Sequence, residues 1–452
     1  MNIIIVGCGK VGHKLVEQLS HEEEHDITIV DSRPEVVQNV VNEYDIMGVA
    51  GSATDIDTLA ESGIDKADIL IAVTGSDELN LMICMLAKKM GNCKTIARVR
   101  KPEYFKAISF LKEELGLAMI VNPEYAAASE IARALRFPSA IKIDTFAKGR
   151  VEILKFEVPE NNILDNMKVM DIFAKLGSTI LVCGVERGEE AFIPSGNFVM
   201  KAGDLISIVG SIKDVGHFFK KINIRTDRVK DALIVGGGDT AYYLARQLLQ
   251  TGMGVKIIEQ NQKRCDELFQ LLPGATIIHG DGTDNKLLDE ENIEQFGSFI
   301  SLTNIDEENV LLSLYAKTQT TGKIVTKINR IEYGNVIGEL QLGTTIYPKN
   351  ITAEYIVRFV RATKNSLGSN IETMHFILDG KAEALEFRIR DNSPISNKRI
   401  QDLELKDNIL IACINHGGKI IAPRGQDVIL PGDTVIIVTL KEGFKDISDI
   451  LR

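Results

Sequence analysis

The sequence predicts an α/β protein in which a doubly wound parallel-sheet domain and a small α+β domain occur twice in tandem. Three observations predict it. The chain alternates short, continuously apolar runs with helical stretches, the pattern of parallel strands covered on both faces. An apolar strand runs straight into a glycine-rich turn at Ile3-Ile4-Ile5-Val6-Gly7-Cys8-Gly9-Lys10-Val11-Gly12, and again at Ala232-Leu233-Ile234-Val235-Gly236-Gly237-Gly238-Asp239-Thr240-Ala241. Matched positions in the two halves stand at one offset, 229 residues, from Gly7 and Gly236 through Gly51 and Gly280 to Arg98 and Lys327. A repeat of that kind defines architecture before any single residue is interpreted.

Bulk properties bound the answer. A chain of 452 residues is too long for one core. Apolar residues are 44% and charged residues 25%, ordinary values for a soluble globular protein. No run approaches the length needed to span a bilayer, and the first residues read as a core strand rather than a signal peptide. The six cysteines form no C-x-x-C pair, so neither a zinc ribbon nor a disulfide framework is expected. A net charge of −11 argues against nonspecific nucleic-acid binding.

Taken in order, strands are expected at 2–6, 26–30, 45–49, 69–73, 95–99 and 117–121. Helices are expected at 10–20, 55–62, 77–90 and 102–115, and Pro34 suits the first turn of another. A helix over 124–136 reads as an exit element stopped at Phe137-Pro138. Strands then dominate at 141–147, 151–157, 180–186 and 205–209, with short helices at 168–175 and 215–221. The program restarts after a linker at 223–230. The expected domains are 1–122, 140–225, 230–348 and 370–452. Pro194-Ser195-Gly196 with Gly203-Asp204 in the first small domain returns as Pro423-Arg424-Gly425 with Gly432-Asp433 in the second.

The glycine turns point to nucleotide binding in two Rossmann-like domains. In a strand–turn–helix unit, Gly7 permits the tight turn, Gly9 lets backbone approach a pyrophosphate, and Gly12 lets the helix pack on the strand. The helix start presents free N–H groups and a favourable dipole to phosphate. Cys8, Lys10 and Val11 complete the first turn. Asp31 ends the second strand, placed for a ribose 2′- and 3′-hydroxyl pair, which favours NAD over NADP. In the second half the turn is Gly236, Gly237, Gly238, Asp239 and Thr240, with Ala241 as third glycine equivalent and Glu259 as the acid. The alternative for this half is a repeat kept for structure alone. Ser52 and Ala53 are candidates for adenine contact, whereas Asp55 and Asp284 read as helix caps. Val73 and Thr74, with Thr303, face the phosphate–ribose crevice. Asp77 and Asp306 read as caps. Arg98 and Lys327 end the fifth strands, where a cation suits a phosphate; a surface ion pair is the alternative.

Catalytic sets are not recognised. No Tyr precedes a Lys by four positions, no G-x-S-x-G occurs and no P-loop occurs. The histidines are read as forming no H-x-x-x-H or H-E-x-x-H pattern, so no zinc hydrolase site is expected. Catalytic residues and metal ligands are therefore expected to be none, and the chain is expected not to be an enzyme. An NAD-dependent oxidoreductase is the alternative from the same fingerprint, and a nucleotide sensor for another cation channel or an antiporter is a third reading.

A Rossmann domain followed by a small α+β domain, twice over, resembles the RCK/KTN family of potassium-transport regulators. The resemblance spans essentially the whole chain. It rests on the first glycine turn, Gly51-Ser52-Ala53-Thr54, Ala72-Val73-Thr74-Gly75-Ser76-Asp77-Glu78-Leu79-Asn80, Ala97-Arg98-Val99 and Val121-Asn122-Pro123-Glu124, and on the Pro-x-Gly and Gly-Asp ends of the small domains. It implies small domains of the RCK C-terminal type. It implies NAD or NADH at the first site and NAD or ATP/ADP at the second. It also implies a homo-oligomeric ring, dimer or tetramer, cytoplasmic and peripheral on the inner face of the membrane. The ring would dock on an integral-membrane, Trk-type potassium channel subunit and gate it as nucleotide occupancy changes. Some members bind a divalent cation through a Glu placed like Glu124, but one carboxylate makes no metal site.

Overall fold

The computed structural model describes residues 1–20, 25–106, 108–136, 142–146, 151–188, 190–224, 229–330, 337, 340, 342–366, 371–378, 381–440, 444 and 446–452. Four main sheets follow one another along the chain. The first holds β1 (Asn2–Val6), β2 (Asp26–Asp31), β3 (Met47–Ala50), β4 (Ile69–Ala72), β5 (Lys94–Arg98) and β6 (Met119–Val121), all parallel, in the order β3-β2-β1-β4-β5-β6. The strand β1 pairs on both sides, Ile5 opposite Ile29 of β2 and Ile71 of β4. Its carboxyl end is thus the topological switch point, where open α/β sheets bind ligands.

The second sheet is antiparallel. It holds β7 (Lys142–Phe146), β8 (Val151–Glu157), β9 (Leu181–Arg187), β10 (Glu190–Phe192) and β11 (Leu205–Gly210) in the order β10-β9-β11-β8-β7. The third repeats the first with β12 (Asp231–Val235), β13 (Gly254–Glu259), β14 (Thr276–His279), β15 (Ser298–Ser301), β16 (Lys323–Lys327) and β17 (Thr344–Ile346), ordered β14-β13-β12-β15-β16-β17. The fourth contains β18 (Ile371–Ile377), β19 (Ala382–Arg388), β21 (Ile409–His416), β22 (Lys419–Ile421) and β24 (Thr434–Thr439). Beside it β20 (Lys398–Arg399) and β23 (Val428–Ile429) form a two-stranded ribbon.

Several expected elements shift. Within the stretch 102–115, Pro102–Lys106 and Ile108–Glu114 are helical, and residue 107 lies outside the described residues. The hairpin strand β10 was not expected; it is only three residues long and carries too little periodicity to register. The linker at 223–230 includes residues 225–228, outside the described residues. The Gly-Asp ends of the small domains have a physical reason. Asp204 accepts the Lys201 N–H at 2.7 Å and a two-point ion pair from Arg187, both bonds 2.7 Å. Asp433 likewise accepts the Leu430 N–H at 2.9 Å and makes a single hydrogen bond with His416 Nδ1 at 2.6 Å. One buried carboxylate closes a glycine turn and anchors a neighbouring strand.

The chain separates into two compact units, and each unites matching parts of the two halves. One is Met1–Leu135 with Val229–Val360; the other is Arg136–Arg228 with Arg361–Arg452. In the first, the helix Pro123–Arg136 does more than exit its domain. Its Ala127, Ala128, Ile131 and Leu135 lie in one apolar cluster with Tyr242, Tyr243, Ala245 and Leu248 of the second glycine-turn domain. Reciprocally, Ala353, Ile356, Val357 and Val360 of the helix Pro348–Ser366 pack with Leu15, Val16 and Leu19 of the first. The two parallel-sheet domains have exchanged their last helices. In the second unit, one face from each small domain joins a shared core that includes Phe146, Ile153, Cys183 and Val209 with Ile377, Ala384, Cys413 and Ile436.

Candidate functional site

Each parallel sheet carries a cleft at the carboxyl end of its central strand. In the first half, β1 ends and Gly7 turns with φ +99°, a left-handed conformation that favours glycine. A Cβ on Gly7 would stand 2.9 Å from the Thr74 backbone, and one on Gly12 would stand 1.9 Å from the Gly7 carbonyl oxygen. These two glycines are needed by the protein itself. Gly9 is different. It lacks a left-handed φ, and a Cβ there would meet no described atom within 4 Å. Gly238 repeats this, with φ −64° and nothing within 4 Å, while Gly236 repeats Gly7 with φ +98°. Neither conformation nor packing demands glycine at Gly9 or Gly238. In a glycine turn of this kind that position is the one that lets the backbone approach a pyrophosphate. The helix Asp239–Gln250 also has no side-chain N-cap bond, so its first-turn N–H groups have no side-chain cap.

The first cleft, about 610 Å³, is lined by Gly7, Gly9, Asp31, Ser52, Ala53, Val73, Thr74 and Arg98 among others. Of the predicted residues, Cys8, Lys10, Val11 and Gly12 do not line it. Cys8 and Val11 point into the core, and burial, helped by the Asp31 charge, pushes the Cys8 thiol up to about 12. Lys10 instead borders a hollow of about 270 Å³ with Asn304, Arg330 and Lys349. The backbone of Cys8 still shapes the site: its N–H donates to Asp31 Oδ2 at 2.8 Å. Arg33 grips the same carboxylate through Nε at 3.0 Å and Nη2 at 3.1 Å. Burial alone would raise the Asp31 pKa, but the Arg33 and Cys8 hydrogen bonds hold it below the usual carboxylate value. Arg98 donates to the Thr74 carbonyl, and its Nε is buried without a partner among the described residues. Burial pulls its pKa down.

The second cleft, about 560 Å³, is lined by all of its predicted residues, Gly236, Gly237, Gly238, Asp239, Thr240, Glu259, Thr303 and Lys327. Glu259 takes the place of Asp31. Its Oε2 accepts the Gly237 N–H at 2.6 Å and its Oε1 the Asn261 N–H at 2.8 Å. Arg264, which sequence reasoning missed, donates from Nε to the Gly237 carbonyl at 2.8 Å and from Nη2 to Asp239 at 2.9 Å. No motif spacing marks it, because it reaches the turn from the following helix. Lys327 is buried, donates to the Leu302 carbonyl at 3.1 Å, and has its pKa lowered by that burial. Glu124 also lines this cleft, carried in on the exchanged helix. Its Oε2 is buried with no partner among the described residues, and burial raises its pKa.

Two expectations are corrected. Asp77 and Asp306 are not helix caps. Ser76 caps the helix Asp77–Met90, while Asp77 accepts the N–H groups of Arg100 at 2.8 Å and Lys101 at 2.9 Å. Asp306 likewise accepts from Asn329 and Arg330. The histidine reading needs a correction too, since His21-Glu22-Glu23-Glu24-His25 does spell H-E-x-x-H. It falls between the helix Lys10–Ser20 and β2, and its residues 21–24 lie outside the described residues. Among the described residues no group of three or more His, Cys, Asp or Glu is placed to hold a metal. Asp55 and Asp284 do cap their helices, accepting from Asp57 and Lys286. No helix among the described residues is long and apolar enough to cross a membrane.

Comparison with known proteins matches this arrangement. The TrkA-N domain model fits residues 3–123 and 232–348, and the TrkA-C domain model fits 153–223 and 384–452. The Trk system potassium uptake protein TrkA homolog 2 of Methanosarcina mazei is 30% identical over 463 residues, covering 100% of both chains. The Trk system potassium uptake protein TrkA of Haemophilus influenzae is 30% identical, covering 97% of this chain and 95% of its own. Among solved structures, the GsuK channel bound to NAD superposes with a TM-score of 0.63 at 17% identity, covering 97% of this chain and 76% of that one. The two domain models alternate along the chain as the two sheet types do, and the chain belongs to the TrkA family of potassium-uptake proteins.

Proposed function

We propose that this protein is the nucleotide-binding regulatory subunit of a potassium-uptake system. The observation that carries the reading is the pair of glycines, Gly9 and Gly238, whose missing side chains serve no packing or conformational need of the described protein. In this reading Gly7, Gly9 and the helix start from Lys10 receive the pyrophosphate. Asp31 holds the ribose, Ser52 and Ala53 meet adenine, and Thr74 and Arg98 face the second phosphate or ribose. The ligand of the first cleft is NAD or NADH. The second cleft, with Glu259, Thr303 and Lys327 in the same places, takes NAD, ATP or ADP.

No chemical step is involved, and the chain is not an enzyme. A nucleotide that binds two conformations with different affinity shifts their populations, and that shift is the signal. The protein acts as a homo-oligomeric ring, dimer or tetramer, peripheral on the cytoplasmic face of the membrane and seated on an integral-membrane Trk-type potassium channel subunit. Potassium flux into vesicles holding that subunit tests this. Flux is expected to depend on added protein and, with protein present, on nucleotide; flux indifferent to both overturns the reading.

A further inference from the structure

A buried tyrosine joins the surroundings of the two clefts. Tyr243 stands one turn into the helix Asp239–Gln250, whose Asp239 and Thr240 line the second cleft. Its side chain is buried, and its hydroxyl donates to the Arg100 carbonyl at 3.1 Å and accepts from Asn122 Nδ2 at 3.1 Å. Asn122 Nδ2 also donates to that same carbonyl at 2.9 Å. Its Oδ1 accepts the Tyr125 N–H at 2.8 Å, at the start of the exchanged helix Pro123–Arg136. Three elements therefore meet at one hydroxyl. They are the helix that opens at the second glycine turn, the exchanged helix that brings Glu124 to the second cleft, and the loop after β5.

That loop leads to the first cleft. Arg100 Nη2 donates to the Gly75 carbonyl at 2.5 Å, and the Arg100 N–H donates to Asp77 at 2.8 Å. Gly75 lines the first cleft beside Thr74. A path of hydrogen bonds thus runs from Gly75 through Arg100 to Tyr243, from the lining of one cleft to the helix that lines the other. The matching junction is built differently. At the offset of 229, Lys14 takes the place of Tyr243 and Asn329 that of Arg100. Lys14 gives its ammonium to Glu17 of its own helix at 2.5 Å. Asn329 borders the hollow of about 270 Å³ that Lys10 and Lys349 also line. A hydroxyl closes one junction, and open space stands in the other.

Resting on the nucleotide reading above, we propose that Tyr243 is a positioning residue that makes the two clefts bind cooperatively. It lines neither cleft. A nucleotide in the first cleft holds the Thr74-Gly75 backbone and, through Arg100, the carbonyl that Tyr243 grips. The helix at the second turn is then already fixed when its own nucleotide arrives. The second ligand has less to order than the first, so each raises the affinity of the other, and by the same factor.

Calorimetric titration of the full chain measures that factor. Gly9→Asp and Gly238→Asp each set a carboxylate in the phosphate seat of one cleft, where the added Cβ meets no described atom within 4 Å. Each variant thus reports the other cleft alone. The titrant is NAD+, replaced by ADP at a cleft that NAD+ leaves empty. The product of the unmodified chain's two association constants, divided by the product of the two single-cleft constants, is the coupling factor. It is expected to be about tenfold. Tyr243→Phe removes only the hydroxyl. It keeps the ring packed edge-on against Tyr125 and leaves Asn122 Nδ2 and the Arg100 carbonyl bonded to each other. The same titrations in that background should bring the factor close to one. Lys14→Met, at the matching place of the first helix, should leave it unchanged, and an equal fall there overturns the assignment to Tyr243. A factor of one in the unmodified chain, or a factor that survives Tyr243→Phe whatever the single-cleft affinities do, overturns the cooperative role alone. No binding of either nucleotide by the unmodified chain overturns the nucleotide reading beneath it.

Discussion

At the scale of the residue, a glycine motif is informative only once its glycines are separated. Gly7 and Gly12 answer to the turn and to helix packing, so they would persist in a domain that bound nothing. Gly9 and Gly238 would not. Between them, the middle residue of each turn is coupled to the acid it faces. A Cβ on Gly237 would lie 3.0 Å from Glu259 Oε2 and 2.7 Å from Leu268 Cδ1, so the longer acid is matched by a bare backbone. In the first half the shorter Asp31 leaves room for Cys8. Glu124 makes a prediction of its own. Burial raises its pKa, so in the folded chain its charged form is disfavoured. At low pH the carboxyl is protonated in folded and unfolded states alike and costs nothing. As pH rises through the ordinary carboxylate range, the unfolded chain ionises first and stability falls until the folded value is passed. Glu124→Gln is therefore expected to melt above the unmodified protein at pH 7.5 without nucleotide, and level with it near pH 4. Thermal denaturation at the two pH values measures this; a gain of the same size at both would show that Glu124 acts through packing, not charge.

At the scale of the element, one buried asparagine in each half ties the loops that edge the cleft. Asn80 Oδ1 accepts the Thr74 N–H at 2.8 Å and its Nδ2 donates to the Arg98 carbonyl at 2.9 Å. Asn309 holds Thr303 and Lys327 at 2.9 and 3.0 Å. Because Thr74 and Arg98 are both positioned this way, the cleft depends on a residue that does not itself line it. Asn80→Ala leaves a buried N–H and a buried carbonyl unpaired, at a cost of about 2–3 kcal/mol, and should weaken nucleotide binding at the first cleft more than at the second. Denaturant titration with calorimetry on the same variant checks both parts. In the sequence Asn80 and Asn309 were visible only as repeated letters. The glycine turns and the acids after β2 and β13 were legible because their chemistry is local, settled within one strand–turn–helix unit. Asp77 was misread for the same reason: it looks like a cap to its own helix, but its partners are Arg100 and Lys101, in the loop after the next strand. Arg264 was unreadable as a site residue and Glu124 was raised only as the position of a cation ligand in related proteins, since only the folded chain brings a following helix and an exchanged helix to the same turn.

At the scale of the whole molecule, the tandem repeat was legible from the fixed offset, but the way the repeats combine was not. Periodicity shows that the helix Pro123–Arg136 has an apolar face; it does not say whose core receives it. In the fold, like joins like, parallel-sheet domain with parallel-sheet domain and small domain with small domain. Each half therefore carries three unfinished surfaces, two on its parallel-sheet domain and one on its small domain. In the first half these are the face of Ala127, Ala128, Ile131 and Leu135, and the opposite seat around Leu15, Val16 and Leu19, which the helix Pro348–Ser366 covers. The sheet face bearing Phe146, Ile153, Cys183 and Val209 is likewise closed by the second half. Each large aliphatic side chain so covered contributes about 1.5–3 kcal/mol relative to exposure, so uncovering all three surfaces removes more than a domain's usual margin of stability. The two halves share the helix and sheet plan, so a second copy of the first half presents surfaces of the same kind. Residues 1–228 expressed alone are therefore expected to pair into a dimer that exchanges the helix Pro123–Arg136 between copies, or otherwise to aggregate. Sedimentation at a mass near twice the fragment's, together with loss of the dimer in Ile131→Asp, is the expected result. A monomeric fragment with a cooperative melt like that of the full chain would show that each half closes its own core, and that the exchange of helices is not what holds the two halves together.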